Sequence, residues 1–535
     1  MNYDLLIIGA GGAGLSAAIE AMQRGAKVLM VCKTLPTRSQ TVMAQGGINA
    51  VLHENGDSVE SHIEDTLKAS GGLADEESVR VLCREAPSNI EWLERLGVPF
   101  SRIDGAKTPL ESIAQRRLGG ASAPRACYAQ DYTGLKIVHT LYDKASSMGV
   151  EIRTRLFALS LIHDEEGVCA GALFLDIESG ELKEIRASAT IVASGGFSSI
   201  YHGYTTNAYG SSADMHSAIL EAGGYLSNME MIQFHPTALE GSAILISESA
   251  RGEGGYLIDE RGERFTNELA PRDEVSRAIF SKIERGGRVF LDIRHLGREK
   301  LEHLMPQELH LCRLHAGIDP VEELVPVSPA AHYSMGGIEC DRQLRVSGLY
   351  NCYATGECAN AHLHGANRLG GNSLLEIVVF ARMAAVNALE SDKRVCRDTG
   401  ETLHKAKAEL ERILGSEGEE CDIYAMRREA GRILFEDAGI HRDAKGLEKA
   451  MEKISAMRER LSQAVSSDKS ARFNTYLIDF MQLRSSLTAA EAMLVSALAR
   501  EESRGAHYRS DFPYERQEWC RDTLCRLCEG EVVVS

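Results

Sequence analysis

Residues 3–33 read YDLLIIGAGGAGLSAAIEAMQRGAKVLMVCK. Residues 3–8 form an apolar run of strand length, followed at once by Gly9-x-Gly11-x-x-Gly14. A helical stretch over 15–24 comes next, then Gly25 and a second strand over 27–32. Strand, G-x-G-x-x-G, helix, strand is the context in which the glycine motif signals dinucleotide binding. Gly9 permits the tight turn, Gly11 admits a pyrophosphate, and Gly14 lets helix and strand pack closely. The helix N-terminus then offers unpaired N–H groups and a positive dipole to the anion. The acidic residue expected to hold a ribose at the end of the second strand is missing. Cys32-Lys33-Thr34 stands there instead.

Working outward, residues 191–196 (IVASGG) and 348–357 (GLYNCYATGE) are two further strand–glycine junctions. Three such junctions far apart in sequence suit one flavin-sized cofactor contacted by several loops. Residues 229–331 turn mixed and Arg-rich, and read as an insertion into the dinucleotide fold. Beyond about Lys393 the chain becomes helical, with Leu447, Met451, Ile454 and Leu461 at helical spacing, a packing stripe. No internal repeat or low-complexity segment interrupts this order.

The chain has 535 residues, enough for several domains. Lys and Arg number 59 against 77 Asp and Glu, a net charge of −18. Such acidity argues against a nucleic-acid partner and a basic membrane-surface role. The longest apolar candidate, 373–389, contains Glu376 and Arg382, so no spanning helix is expected. The first residues lack a basic region before their apolar run, so a cleaved signal is not expected. Thirteen cysteines without such a signal read as reduced thiols in a cytoplasmic protein. Cys520, Cys525 and Cys528 have an iron–sulfur-like spacing but no fourth ligand follows, so they read as surface thiols on a C-terminal helix.

Longer motifs carry a resemblance. They are RSQT (38–41) with AQGG (44–47), RRLGGASAPRACYAQDYTG (116–134), QFHPT (233–237) and ESARGEGG (248–255). LAPRDEVSRA (269–278), AHYSMGG (331–337), HGANRLGGNSL (364–374) and SRGAHYRSDFP (503–513) complete the series. In this order they resemble the flavoprotein subunits of succinate dehydrogenase and fumarate reductase, in a superfamily shared with L-aspartate oxidase. The resemblance implies an α/β fold: a Rossmann-like FAD-binding domain with an inserted α+β capping domain, a helical domain and a short C-terminal segment. The expected boundaries are 1–228 and 332–392 for the FAD-binding parts, 229–331 for the cap, 393–505 and 506–535.

A dicarboxylate needs fixed cations and donors at both ends, and the arginine fork grips carboxylate bidentately. By resemblance Arg368 and His332 hold one carboxylate, while His235, Ser247 and Glu248 approach the other. Reduction of the intervening double bond needs hydride from the flavin and a proton from the protein. The resemblance assigns the proton to Arg272, refilled through Glu248 and Arg251, which lie side by side at i, i+3 if helical. Guanidinium is ordinarily a poor acid, so this requires burial among other cations. FAD contacts carry over to Gly9, Gly11, Gly14, Lys33, Ser39, Gln40, Thr41, Gly46 and Gly47. Asp214, Glu357, Ser373 and Leu374 complete the set, although Ser212-Ala213-Asp214-Met215 departs from the family's glycine-flanked aspartate.

Gln40 is the telling departure. Membrane-bound members have a histidine there, bonded to the flavin, and glutamine cannot form that bond. FAD is therefore expected to be non-covalent and more reducing, which favours fumarate reduction over succinate oxidation. L-Aspartate oxidase also lacks the histidine and stands as the alternative; a non-catalytic flavin-binding scaffold is the other. The 116–134 and 503–513 motifs favour the dicarboxylate enzymes. Implied partners are an iron–sulfur subunit and a membrane-anchor or quinone-reactive subunit, which would place the chain at the inner face of a membrane.

Overall fold

The computed structural model describes residues 3–53 and 56–535. The opening strand Tyr3–Ile8 lies at the centre of the largest sheet, parallel to Val28–Val31 on one side and Leu182–Val192 on the other. Ile8 faces both Val31 and Val192 in register, so three strands end together at the glycine turn. Glu151–Arg153 extends this parallel edge. On the far side Cys169–Asp176 and Leu156–His163 continue as an antiparallel meander, and Cys352–Ala354 pairs parallel with Leu182–Val192. The second strand is thus shorter than the 27–32 expected, and the first helix, Gly12–Gln23, starts earlier.

That helix packs against Asn372–Glu390 and Thr133–Ser147 over a core containing Leu5, Ile7, Leu15, Ile19, Ile137 and Leu375. Asn372–Glu390 has the length and mean hydropathy, 1.4, to cross a bilayer, but 61% of that stretch is buried inside the fold. It is a core helix, kept apolar because neighbours cover most of its surface.

A second sheet runs Ile232–Leu239, Val325–Ser334, Val289–Asp292 and Tyr256–Asp259, all antiparallel. With Arg272–Glu284 and Pro306–Ala316 it encloses its own core, from Leu239 and Leu257 through Val275 and Ile279 to Val327. Its two long strands reach out of that core. Phe234 and Ala331, opposite each other, belong instead to the core shared with the first body. These neck strands carry Gln233, His235, His332 and Tyr333.

Four helices follow: Glu401–Leu414, Ile423–Ala438, Ala444–Gln463 and Thr475–Ala499. Asp422, Asp443 and Asn474 cap the last three through side-chain acceptors, which explains where each begins. Leu447, Ile454 and Leu461 are buried, and Met451 packs partly buried against the same core. The C-terminal cysteines do not lie on a helix. Leu524–Cys528 and Glu531–Val534 form a hairpin, because alternating apolar residues flank the Glu529-Gly530 turn. Cys525 is buried against the long helix, where Ser496 Oγ lies 3.1 Å from its sulfur, while Cys520 and Cys528 are exposed. Among the described residues no three metal-ligating side chains are grouped to hold an ion.

The hairpin pairs with Leu226–Ser227. Near that junction the fully buried Glu230 accepts from Arg500 Nε at 2.6 Å and from the Thr523 hydroxyl at 2.9 Å. Its carbonyl takes a hydrogen bond from Arg442 at 2.9 Å. Helical region, C-terminal hairpin and the root of a neck strand are thereby joined at one carboxylate.

Candidate active site

One cavity of about 770 Å³ runs from the glycine turn to the neck strands. Of the residues named from sequence, all line it except Gly14 and Arg251. Gly14 sits behind the wall: a Cβ there would collide with the Gly9 carbonyl, so helix and strand could not close up. Gly9 itself adopts φ +114° against the Ala193 carbonyl, a conformation and clearance only glycine supplies.

Gly11 caps the first helix without a side-chain acceptor, which leaves the first-turn N–H groups directed at the cavity. One of them, Gly12 N–H, donates to Thr41 Oγ1 at 3.2 Å. Ser39 Oγ, Thr355 Oγ1 and both amide atoms of Gln45 are buried in the wall without a hydrogen-bond partner. Open helix amides and unpaired wall donors suit a pyrophosphate-bearing, hydrogen-bonding cofactor, so the residues present fit FAD. Lys33, standing where an acid was expected, meets Asp214 at 2.5 Å and Ser212 at 3.4 Å. Ala213 precedes the helix Asp214–Glu221 with φ +63°, so the backbone keeps the left-handed geometry a glycine would give, at about 1–2 kcal/mol of strain. Glu357 accepts Ser334 N–H at 3.2 Å, and burial pushes its carboxyl up to about 7.

At the other end five charged or imidazole side chains converge. Arg272 opens the helix Arg272–Glu284, where Pro271 sets the entry, and is 7% exposed. Its Nη2 and Nε lie 2.5 and 3.1 Å from one oxygen of Glu248. Glu248 begins a single helical turn, Glu248–Gly252, which Ser247 caps through its hydroxyl. Arg251 lies one turn on, 3.6 Å from the other Glu248 oxygen, fully buried and behind the cavity wall. The i, i+3 pairing expected from sequence is therefore present. Burial raises the Glu248 carboxyl, but the charges of Arg272 and Arg251 outweigh it and hold it below the usual range. Gly119 donates its N–H to Glu248 at 3.1 Å, and Gly370 passes so near that a Cβ would meet the carboxylate.

Arg368 stacks on Tyr333, its guanidinium 4.0 Å from the ring centre, and donates to Ser373 Oγ at 2.6 Å. Its Nε is buried without a partner. Burial, then the charge of Arg272, lowers its pKa to about 10. His235 and His332 face each other across the neck strands, ring centres 5.0 Å apart. Burial, then Arg272 and neighbouring cations, holds both imidazoles well below their usual range and hence neutral. His332 Nδ1 bonds Thr206 Oγ1 at 2.7 Å.

Sequence reasoning quoted Gln233 and Tyr333 inside motifs but gave them no role. Gln233 accepts from Arg272 and Arg368 together and donates to Asn367 Oδ1 at 2.7 Å. Its place two residues before His235 on a strand, hence on the same face, was the available signal. Behind Ser247, whose N–H donates to Glu308, the Glu308 N–H meets Asp131 Oδ2 at 2.9 Å. Burial pushes Asp131 up to about 6 and Glu308 well above its ordinary range.

Comparison with known proteins places this geometry. The family described as FAD binding domain matches residues 4–374, and that described as fumarate reductase flavoprotein C-term matches 427–534. The chain is 37% identical to the succinate dehydrogenase flavoprotein subunit of Coxiella burnetii, over 98% of this chain and 94% of that one. It is also 37% identical to the fumarate reductase flavoprotein subunit of Escherichia coli, over 95% and 88%. A solved structure of E. coli quinol fumarate reductase superposes with a TM-score of 0.93 at 34% identity, covering 100% of this chain and 96% of that one. The adenylylsulfate reductase of Archaeoglobus fulgidus, 19% identical with a TM-score of 0.80, shares the fold alone. The chain binds FAD through this domain and belongs to the succinate dehydrogenase/fumarate reductase flavoprotein family of oxidoreductases.

Proposed function

We propose that this flavoprotein interconverts fumarate and succinate, with fumarate reduction the favoured direction. The observation that carries the reading is the convergence of Arg272, Arg368, His235 and His332 at one end of a cavity whose other end is a glycine cradle. When bound, FAD supplies hydride exchange with the substrate. Arg368, with an unpaired Nε and a ring beneath it, grips one carboxylate together with neutral His332. His235 and the Ser247–Glu248 turn receive the other. Arg272 delivers the proton, and Glu248 and Arg251, in line behind it, replace that proton from inside the cap. Burial, with the charge of Arg272 beside them, weakens the hold of Arg251 and Arg368 on their protons.

Gln40 lines the cavity and leaves FAD non-covalent, which keeps its potential low and favours reduction. Residues 229–331 act as a cap that closes on the substrate, a division supported by their separate core. The names of the relatives, as subunits and in one case of a quinol-dependent reductase, support partner subunits. The motif resemblance makes these an iron–sulfur subunit and a membrane-anchor or quinone-reactive subunit at the inner membrane face. The test is to measure fumarate reduction with a low-potential donor and succinate oxidation with an acceptor on the same preparation. Reduction should lead by a wide margin; equal rates at matched driving force overturn the direction. Peroxide formed from aspartate in air, with no fumarate turnover, would instead identify an aspartate oxidase.

A further inference from the structure

Gln40 makes contacts that a merely unreactive residue would not need. Its Oε1 accepts the Ala208 N–H at 2.9 Å, and its Nε2 donates to the Thr206 carbonyl at 3.4 Å. One carboxamide thus spans a three-residue stretch of backbone that belongs to neither helix nor long strand. That stretch is laced along the neck strand at a single place. Thr205 Oγ1 and Thr206 N–H both donate to the Ala331 carbonyl at 2.9 Å. Asn207 Nδ2 donates to the His332 carbonyl at 2.9 Å, and Thr206 Oγ1 meets His332 Nδ1 at 2.7 Å. Gln40, Ala208 and His332 all line the cavity, and residues 206–208 join the glutamine to the histidine.

We propose that Gln40 is a positioning residue for His332, acting through Thr206 and the 206–208 segment. A hydroxyl held against Nδ1 fixes the ring's angle and leaves Nε2 as the nitrogen a ligand can reach. Besides Asn207 N–H on Thr205 Oγ1 and Ser211 N–H on the Ala208 carbonyl, residues 206–208 take their register from the strand and from Gln40. Without the carboxamide, the threonine hydroxyl is free to leave the imidazole, and the ring loses its preorganised direction. The side chain that leaves the flavin unattached therefore also aims a substrate ligand. This deepens the functional reading and rests on its assignment of His332 to a carboxylate.

The test compares Gln40→Leu, Gln40→Glu, Thr206→Val, the Gln40→Leu/Thr206→Val double variant and His332→Ala as FAD-loaded full chains. Three readouts are taken: malonate Kd from the flavin difference spectrum, flavin content with midpoint potential, and the ¹⁵N shift of His332 Nδ1. Gln40→Leu and Thr206→Val should each weaken malonate binding roughly tenfold, the scale of one lost hydrogen bond at a buried site. The double variant should be no worse than the weaker single one, because both act through one contact. Gln40→Glu, which keeps the acceptor for Ala208, should fall between wild type and Gln40→Leu. His332 Nδ1 should shift in both single variants, with KM rising and kcat changing far less.

Additive losses in the double variant, or an unmoved His332 resonance in Gln40→Leu, overturn the proposal. A malonate Kd in Gln40→Leu that tracks only its flavin content or potential does so too. If His332→Ala binds malonate normally, the carboxylate assignment fails. The ¹⁵N shift still decides whether Gln40 aims the ring.

Discussion

The carboxamide oxygen of Gln233 stands 3.0 Å from Nη1 of Arg272. The same oxygen accepts from Nη2 of Arg368 at 3.2 Å, while Nε2 is tied to Asn367 and to the Arg368 carbonyl. A neutral acceptor thus separates two buried guanidinium groups that would otherwise repel. Gln233→Leu removes it without changing bulk much. A lost hydrogen bond to a buried charge costs about 1.5–3 kcal/mol, so kcat/KM should fall roughly ten- to hundredfold with FAD retained. Steady-state kinetics beside a flavin assay checks this, and near-normal values would remove the bridge from the mechanism.

Arg272 and Arg368 should separate kinetically. Proton donation acts in the transition state, whereas carboxylate binding acts in ground and transition states alike. Arg272→Lys should lower kcat by roughly 10²–10⁴-fold with little change in KM. Arg368→Lys should chiefly raise KM, through loss of the bidentate grip. If Arg272→Lys keeps its flavin and most of its kcat while KM climbs, the acid lies elsewhere, with His235 or His332 next in line.

Acid precipitation should release FAD into the supernatant, because the Gln40 amide cannot form the flavin bond. Fluorescence that stays with the denatured polypeptide on a gel would contradict non-covalent binding.

Glu357 gives a pH signature. Its carboxyl is pushed up to about 7 in the fold, above the ordinary glutamate value near 4.3. An acid whose pKa rises on folding supports the fold fully below its unfolded value, and that support is lost as pH climbs through about 7. Asp131, up to about 6, and Glu308 act in the same direction. Buried neutral histidines such as His62 and His216 act in the opposite direction, so the measure is the difference between proteins. Relative to wild type, FAD-free Glu357→Gln should gain Tm from about pH 4.5 to 7. An unchanged slope in the variant would assign the loss to other groups.

Closure of the cap is open to proteolysis. Cleavage near residues 229 and 331 should slow when malonate or fumarate is bound, because closure orders the neck strands. Equal cleavage with saturating ligand would mean that the two bodies do not close on it.

Much of this was legible in the sequence, for physical reasons. The 3–33 stretch had to be strand, turn and helix, because Gly9 and Gly14 make contacts that no side chain could share. The spacing of Glu248 and Arg251 required only one helical turn to bring them together, and that turn formed. Gln233 was illegible as a bridge, because its importance depends on Arg272 and Arg368, 39 and 135 residues away. Thr206 was hidden for the same reason, since its partner lies 126 residues on. The C-terminal segment forms a hairpin and not the expected helix, because apolar residues alternate on either side of Gly530. Asp214 still lines the cavity despite its altered neighbours, because Ala213 adopts the left-handed conformation.

The carboxylate of Glu230 has a genetic consequence. Arg500, Arg442 and Thr523 all converge on a residue three positions before Gln233. A frameshift or stop codon just before Thr523 would delete the hairpin that pairs with Leu226–Ser227 and take one donor from this buried acid. Among the described residues the cavity lining ends at Gln482. Such an allele should therefore score as a null in a growth screen while still encoding every described residue that lines the cavity.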